Sequence, residues 1–271
     1  MTERAQGSKF KVMWLLSNKI LVRESGLLEG FRDCHCHLLP GVDDGVQEAS
    51  ETMQILEEWE SLGVKEVWLT PHIMEDIPNE AEELRRVFNL NLNDNENENE
   101  KGNGKHFSIR LHLAAEHMMD GLFLRRLEKN EVMPYNDNLN DNGYGNHEPR
   151  KLLVETSYYT PPMNMADVIE RVKAKGYHPV LAHPERYQYM DRRDYRHWKE
   201  RGVLLQLNVP SLVGAYGPDV QRKAEWLLKE DLYDHCGTDT HSIDQVRMFL
   251  NSEISKKTVK KVKRIAENQE L

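Results

Sequence analysis

Asp33-Cys34-His35-Cys36-His37 is the stretch of sequence that decides the fold. Successive side chains of a strand point to opposite faces, so the aspartate and both histidines share one face and the cysteines the other. Two imidazoles on one face favour histidine over cysteine as a metal ligand. A Cys/His zinc cluster or two hydrogen-bonded core histidines would give the same string, so further evidence is needed.

Further evidence comes from other β-like runs, because histidines or carboxylates follow the ends of several of them. These positions are His72, Glu116, Glu155, His183, Asp239 and His241. Each has an ordinary alternative as a loop or rim residue, but their coincidence at the carboxyl ends of strands indicates one polynuclear site. Asp44 is a further candidate, and its alternative is a helix N-cap completed by Gln47.

Strands alternate with helices along the chain, which predicts parallel βαβ units. We expect strands at 31–39, 64–70, 109–115, 151–155, 178–182, 203–207 and 232–238. About seven such units around one site favour a barrel over an open sheet.

The length of 271 residues suits one large α/β domain, residues 31–271, behind a basic N-terminal extension, residues 1–30. Residues 89–104 and 136–147 are rich in Asn, Asp, Glu and Gly, which predicts solvated insertions in surface loops.

The formal net charge of −9 argues against a nucleic-acid binder, which needs a basic surface. Three cysteines cannot form a disulfide framework, so a reducing cytoplasm is expected. The apolar stretch at residues 12–16 is too short for a signal sequence or membrane span.

Imidazole and carboxylate ligands without thiolate suit Mn, Fe, Co or Zn in an open catalytic site. Nine candidate ligands exceed the needs of one ion, so two or three ions are expected, and such centres catalyse in-line displacement at phosphorus. Arg186, three residues beyond His183, adds a planar fork for a phosphate oxygen, with a surface ion pair as its alternative. Metal-assisted phosphoester hydrolysis is the resulting hypothesis.

Taken together, these motifs resemble the CpsB-type bacterial tyrosine phosphatases of the polymerase and histidinol phosphatase (PHP) superfamily. The resemblance spans roughly residues 27–241 and rests on the segments 33–45, 70–72, 115–116, 154–155, 182–187 and 238–241. It implies a distorted (β/α)7 TIM-like barrel, the PHP fold, with a three-metal site that usually holds manganese.

The resemblance also implies a ligand set for each ion. One ion would be held by His35, His37, Glu116 and Asp239. Glu116 would bridge to a second ion, held also by Glu155 and His183, and a third would lie between Asp44, His72 and His241. Arg186 matches the family's phosphate-contacting arginine. Ile73-Met74 stand where some members carry arginines, so weaker phosphate contacts are expected on that side. Arg247 lies near another arginine position of the family.

The implied substrate is a phosphotyrosine-containing protein, namely a bacterial tyrosine kinase that controls capsule or exopolysaccharide export. A cysteinyl-phosphate mechanism of the Cys-x5-Arg type is excluded, because no arginine lies six residues after any of the three cysteines. Two alternatives remain open: a phosphoesterase acting on a small metabolite such as histidinol phosphate, and a non-catalytic regulatory partner of a polysaccharide kinase. The oligomeric state is also open.

Overall fold

The computed structural model describes residues 18–92, 107–136 and 149–271. Most of the first predicted insertion and nearly all of the second lie outside these ranges. The exception is residues 89–92, which we predicted as part of an insertion and which instead continue a helix. Leu84 is the one buried residue of this helix, and the residues after it are mostly polar or exposed. The sequence of 89–92 therefore resembles that of a loop.

Within these ranges the α-helices are α1 (Ala49–Ser61), α2 (Ala81–Leu92), α3 (Gly121–Lys129), α4 (Met165–Ala174), α5 (Arg192–Glu200), α6 (Pro218–Lys229), α7 (Ile243–Leu250) and α8 (Lys256–Asn268). The strands are β1 (Lys19–Leu21), β2 (Arg32–Cys36), β3 (Glu66–Leu69), β4 (His72–Ile73), β5 (Arg110–Leu113), β6 (Glu116–Met118), β7 (Arg150–Glu155), β8 (Tyr177–Ala182), β9 (Leu204–Asn208), β10 (His235–Gly237) and β11 (Glu253–Ser255).

All seven predicted strands are present, and β4 and β6 are short continuations of two of them. Pro71 separates β3 from β4, since proline offers no N–H to a strand ladder, and Ala114-Ala115 separates β5 from β6. The strands β1 and β11 and the helix α7 were not predicted. β1 pairs with β11 in an antiparallel ribbon, and Val22, Leu27 and Leu28 are buried, so residues 19–30 pack on the domain.

The strands other than β1 and β11 form two parallel sheets, ordered β2-β3-β5 and β4-β6-β7-β8-β9-β10. On one side the chain itself joins them, since β3 of the first sheet leads into β4 of the second, and β5 of the first leads into β6 of the second. On the other side, Asp239 N donates to His35 O at 2.7 Å and His37 N donates to Thr240 O at 2.9 Å. The protein is thus a mixed α/β structure with parallel sheets.

These strands bury side chains on both faces, as parallel sheets covered by helices do. Leu152 and Val154 of β7 belong to the larger core, which also contains the apolar stripe of α1. Leu153 between them belongs to a smaller cluster on the opposite face, with Trp68, Ala114, Tyr135, Val180 and Ala182. The smaller cluster fills the space beneath the carboxyl ends of the strands.

Gln269, which follows α8, ties the beginnings of β2 and β10 together. Its amide donates to the carbonyl of Arg32, and its Oε1 accepts from Cys236 N at 2.9 Å. Arg32 Nη1 in turn donates to Gln269 O at 2.8 Å. The side chain is fully buried, so both of its polar atoms depend on these partners. No helix within the described ranges is long and apolar enough to cross a membrane.

We expect Gln269→Ala to lower the free energy of unfolding by about 2 kcal/mol, because it leaves a buried carbonyl and a buried N–H without partners. Urea unfolding followed by circular dichroism measures this change. Glu270→Ala, which removes an exposed neighbour, is the matched control. Equal midpoints for the two variants would show that the Gln269 contacts do not stabilise the fold.

Candidate metal centre

All nine predicted ligand residues lie at one end of the two sheets, where β2, β3, β5, β7, β8 and β10 reach their carboxyl ends. His35 and Glu155 lie within β2 and β7, and His72 and Glu116 begin β4 and β6. The others, His37, Asp44, His183, Asp239 and His241, lie in the loops that follow β2, β8 and β10. The folded chain thus brings together residues from 35 to 241 at one end of the sheets.

Ligand atoms of these residues form four overlapping groups that could each hold an ion. The groups are His37, Asp44, His72 and His241; His35, Glu116 and His183; His35, His37 and Asp239; and His72, Glu116 and Glu155. The first contains the three residues expected at the third ion, with His37 added. The resemblance implied a second ion between Glu116, Glu155 and His183. Here His72 lies beside Glu155, whereas His183 Nε2 is 2.9 Å from Glu116 and 3.8 Å from Glu155.

Asp44 is the exposed member of the cluster, with 64% of its side chain accessible. One of its oxygens lies 3.5 Å from His72 Nε2 and 3.6 Å from His241 Nε2. The alternative as a helix N-cap is wrong, because α1 begins at Ala49 and its N-cap is Glu48. The site therefore opens to solvent on the side of Asp44.

The rings of three histidines are held in orientation by hydrogen bonds at Nδ1, to Asp43 and Gln206 outside the cluster and to the backbone of Asp239 within it. His37 Nδ1 donates to Asp43 at 2.8 Å, His241 Nδ1 donates to Asp239 O at 2.8 Å, and His35 Nδ1 donates to Gln206 Oε1 at 3.0 Å. Each contact leaves Nε2 directed into the cluster, which is the arrangement that orients imidazole ligands in metal sites.

Sequence reasoning missed Asp43 and Gln206. Asp43 also accepts from His72 N at 3.0 Å and from Gly45 N at 2.9 Å, so one carboxylate orients two loops of the site. Gln206 Oε1 also accepts from His183 N at 3.2 Å. A polar residue in the interior of an otherwise apolar strand, β9, was the signal for Gln206; nothing separates Asp43 from Asp44 in the sequence.

Charge dominates the site, because buried carboxylates and imidazoles lie in contact. Burial lowers the pKa of His35, but the neighbouring carboxylates of Glu116 and Asp239 outweigh it and raise the pKa to about 9. Burial raises the pKa of Glu116, and the surrounding imidazoles outweigh this and hold it well below its usual range. The cluster thus favours ionised carboxylates together with positive charge among them.

Bound cations fit this arrangement. His72 Nδ1 lies 3.2 Å from Glu116 Oε2 and 3.2 Å from Glu155 Oε1. Within the described residues none of these three buried atoms forms a hydrogen bond. Buried polar atoms without partners are rare in native proteins, and one ion between them would satisfy all three. The donor set of imidazole nitrogen and carboxylate oxygen is suited to divalent transition metals.

Two residues of the cluster have left-handed backbones, His183 with φ of 32° and Asp239 with φ of 51°. This region is uncommon for residues other than glycine, and such strain persists only where the surrounding structure imposes it. Here the backbones are fixed by Gln206, which holds His183 N, and by His35 O, which holds Asp239 N.

Arg186 lies at the edge of the cluster and is not a surface residue, since only 18% of its side chain is exposed. Its Nη1 donates to Asp239 Oδ2 at 2.5 Å. Its guanidinium carbon lies 4.4 Å from the ring centre of Tyr158 and 4.3 Å from that of Tyr216. The arginine is therefore held between two aromatic rings beside a candidate ligand, and both tyrosines were missed from the sequence.

His117, the three cysteines and Arg247 lie outside the ligand groups. His117 is buried, burial lowers its pKa to about 3, and it accepts from Met133 N at 3.1 Å. All three cysteines are free and buried, and burial raises the pKa of each thiol. Arg247 is exposed and pairs with Asp244 on the same helix, 3.4 Å away.

Comparison with known proteins is consistent with this geometry. The model of the family described as capsular polysaccharide synthesis, CpsB/CapC, matches residues 31–268. The chain is 25% identical over 226 residues to the tyrosine-protein phosphatase YwqE of Bacillus subtilis, covering 82% of this chain and 81% of the relative. It is 23% identical over 214 residues to the putative tyrosine-protein phosphatase CapC of Staphylococcus aureus, covering 78% and 77%.

A solved structure also matches, from a study of YwqE of Bacillus subtilis and CpsB of Streptococcus pneumoniae described as metal-dependent tyrosine phosphatases. The TM-score is 0.62 at 20% identity, covering 87% of this chain and 85% of that one. The similarity shows a common fold. Together with the family match, it confirms the resemblance predicted from the motifs.

We expect Asp43→Asn to weaken divalent-metal binding by about 10- to 100-fold, the usual effect of removing a group that orients a ligand. The carboxylate accepts from His37 and from His72 N at Oδ2 and from Gly45 N at Oδ1, and an amide, with a single acceptor oxygen and no negative charge, cannot keep all three bonds. Isothermal titration of the metal-free protein with Mn²⁺ measures the change. Glu48→Gln removes an exposed carboxylate nearby and should bind as the wild type does; equal affinities for all three proteins would contradict an orienting role of Asp43.

Proposed function

Because the chain belongs to the CpsB/CapC family of capsular polysaccharide synthesis, we propose that it is a metal-dependent protein-tyrosine phosphatase. The observation that carries this proposal is the buried imidazole and carboxylate cluster with an arginine fixed at its edge. Relatives that are named tyrosine-protein phosphatases align with most of this chain and over most of their own length. The two sheets support a distorted (β/α)7 barrel of the PHP type, because they are joined by the continuous chain on one side and by backbone hydrogen bonds between β2 and the loop after β10 on the other.

We propose the nine cluster residues as the metal ligands. The groups would accommodate three divalent ions, one at His35, His37 and Asp239, one at Glu116, Glu155 and the adjacent histidines, and one at Asp44, His72 and His241. Manganese is the proposed metal because the resemblance to the CpsB-type phosphatases implies it, and donors of imidazole and carboxylate without thiolate are compatible with it, as they are with Fe, Co or Zn. Bound divalent ions would supply Lewis acidity towards phosphoryl oxygens and lower the pKa of water at neutral pH.

The residues of the chain have separate roles in this proposal. Arg186 uses one N–H for Asp239, and its remaining donors are available for a phosphate oxygen. Tyr158 and Tyr216 fix the guanidinium plane, so little ordering is needed when charge develops on the phosphoryl group. Arg186 contacts Asp239, a proposed ligand. A phosphate held by Arg186 would therefore lie beside the proposed metal ions. The phenolate leaving group of phosphotyrosine, with a pKa of about 10, needs less protonation than an alkoxide.

The proposed substrate is a phosphotyrosine-containing protein, specifically a bacterial tyrosine kinase that regulates capsule or exopolysaccharide synthesis. The membership of the chain in a capsular family supports this substrate. The cytoplasm is the proposed compartment, and three free buried cysteines are consistent with it.

Removal of metal should abolish the hydrolysis of a phosphotyrosine peptide, because bound divalent ions would activate the attacking water and offset the charge on the phosphoryl oxygens. We expect chelator-treated protein to be inactive, and Mn²⁺ to restore activity better than Mg²⁺, Zn²⁺ or Co²⁺. Released phosphate is the readout, with histidinol phosphate as the comparison substrate. Full activity of verified metal-free protein would overturn the metal mechanism, and faster turnover of histidinol phosphate would assign the enzyme to small metabolites.

Arg186→Ala should lower kcat/KM for phosphotyrosine peptide by on the order of a hundredfold, equivalent to roughly 2.7 kcal/mol of transition-state stabilisation. Lysine should restore activity only in part, because it keeps the charge and not the fork. Metal content is measured alongside, since Arg186 contacts Asp239. Arg247→Ala, an exposed arginine, should retain wild-type kinetics; the same kinetics in Arg186→Ala with metals bound would remove this arginine from the mechanism.

A further inference from the structure

A cleft of about 750 Å³ opens from the candidate metal centre on the side of Arg186. Arg186 and Tyr216 belong to both sites, since they line the cleft and Arg186 contacts Asp239. Asn208 strengthens this connection, because its amide donates to Asp239 at 2.9 Å and to Tyr216 OH at 3.0 Å. A volume of this size exceeds the needs of a phosphate group and suits a segment of peptide.

The cleft carries positive charge that the protein does not neutralise. Its carboxylates are already engaged: Asp219 pairs with Arg222, Asp191 accepts from the backbone of α5, and Glu185 accepts from Asn208 N and Tyr233 OH. Among the described residues, Arg192 and Lys223 form no ion pair. The cleft therefore presents two cations without a direct ion-pair partner, although Asp191, Asp194 and Glu185 act on Lys223 from beyond ion-pair distance.

Both cations are fixed in position. The guanidinium of Arg192 lies 5.0 Å from the ring centre of Trp226. The ammonium of Lys223 donates at 2.5 Å to the carbonyl of Tyr187, the residue directly after Arg186. Burial lowers the pKa of Lys223, so a nearby anion would relieve the cost of its charge. The start of α6, where Gly217 supplies no side-chain cap, lines the same cleft and adds the positive end of a helix dipole.

We propose that this cleft, lined by Arg192, Lys223, Trp226 and Tyr216, binds an anionic side chain of the protein substrate close to the phosphotyrosine. The inference rests on the proposed phosphatase function and adds a substrate preference to it. An extended peptide advances about 3.3–3.6 Å per residue, so a neighbour only a few residues from the tyrosine enters the cleft when the phosphate contacts Arg186. The anion is a carboxylate or a second phosphate, since both satisfy the same cations.

The test compares phosphotyrosine peptides that differ only in the residues flanking the tyrosine: alanine, glutamate or a second phosphotyrosine, on either side. We expect the anionic peptides to exceed the alanine peptide by about fivefold in kcat/KM, near the upper limit for an exposed ion pair, through a lower KM. Raising the salt from about 50 to about 300 mM should reduce this ratio, since exposed charges are screened. Comparing glutamate with phosphotyrosine identifies the preferred anion.

Arg192→Ala should bring the ratio of anionic to alanine peptide close to one. Lys229→Ala removes a lysine from α6 outside the cleft and should keep the wild-type ratio. Equal kcat/KM for all peptides in the wild type, or an unchanged ratio in Arg192→Ala, would overturn the inference while leaving the phosphatase activity intact. Absence of activity on every phosphotyrosine peptide in the presence of metal would overturn the proposed function itself.

Discussion

The burial of several carboxylates and imidazoles at one point is the constraint on which the rest of the structure depends. Glu116, Glu155 and Asp239 are almost inaccessible to solvent, and the carboxylate of Glu116 lies 2.9 to 3.3 Å from nitrogen atoms of four different histidines. Burying charge is costly unless opposite charge accompanies it. Imidazoles such as His35, whose pKa the adjacent carboxylates raise to about 9, can supply that charge when protonated, and divalent ions would supply it more completely.

The surrounding chain is arranged to keep these groups together. Strand ends deliver one or two ligand residues each, and the backbone bonds between β2 and the loop after β10 hold the two ends of the sequence against each other. Asp43 and Gln206 fix the imidazoles, and the left-handed backbones of His183 and Asp239 direct their side chains inward. Gly237 allows β10 to approach β2 closely, because a Cβ at this position would lie 2.6 Å from the Cβ of His35.

Much of this arrangement follows from sequence, because periodicity and strand ends are local properties. The alternation in Asp33-Cys34-His35-Cys36-His37 predicts which residues share a face, and neither cysteine lies in a ligand group. The interruption at Ala114-Ala115 and the ribbon of β1 with β11 depend on tertiary pairing, so periodicity does not predict them, whereas the interruption at Pro71 follows from the missing N–H of proline. The distinct roles of Asp43 and Asp44 depend on the path of one loop, and the placement of Arg186 between Tyr158 and Tyr216 joins three separate loops.

The most direct test of the metal centre is to locate the ions. Crystals grown with Mn²⁺ and measured on both sides of the manganese absorption edge would give anomalous difference peaks at bound manganese. We expect manganese peaks among His35, His37 and Asp239, around Glu116, and between Asp44, His72 and His241. Each ion should be in direct contact with the imidazole nitrogen and carboxylate oxygen atoms of its group. Crystals with saturating Mn²⁺ and no peak at any of these groups would contradict the proposed metal centre.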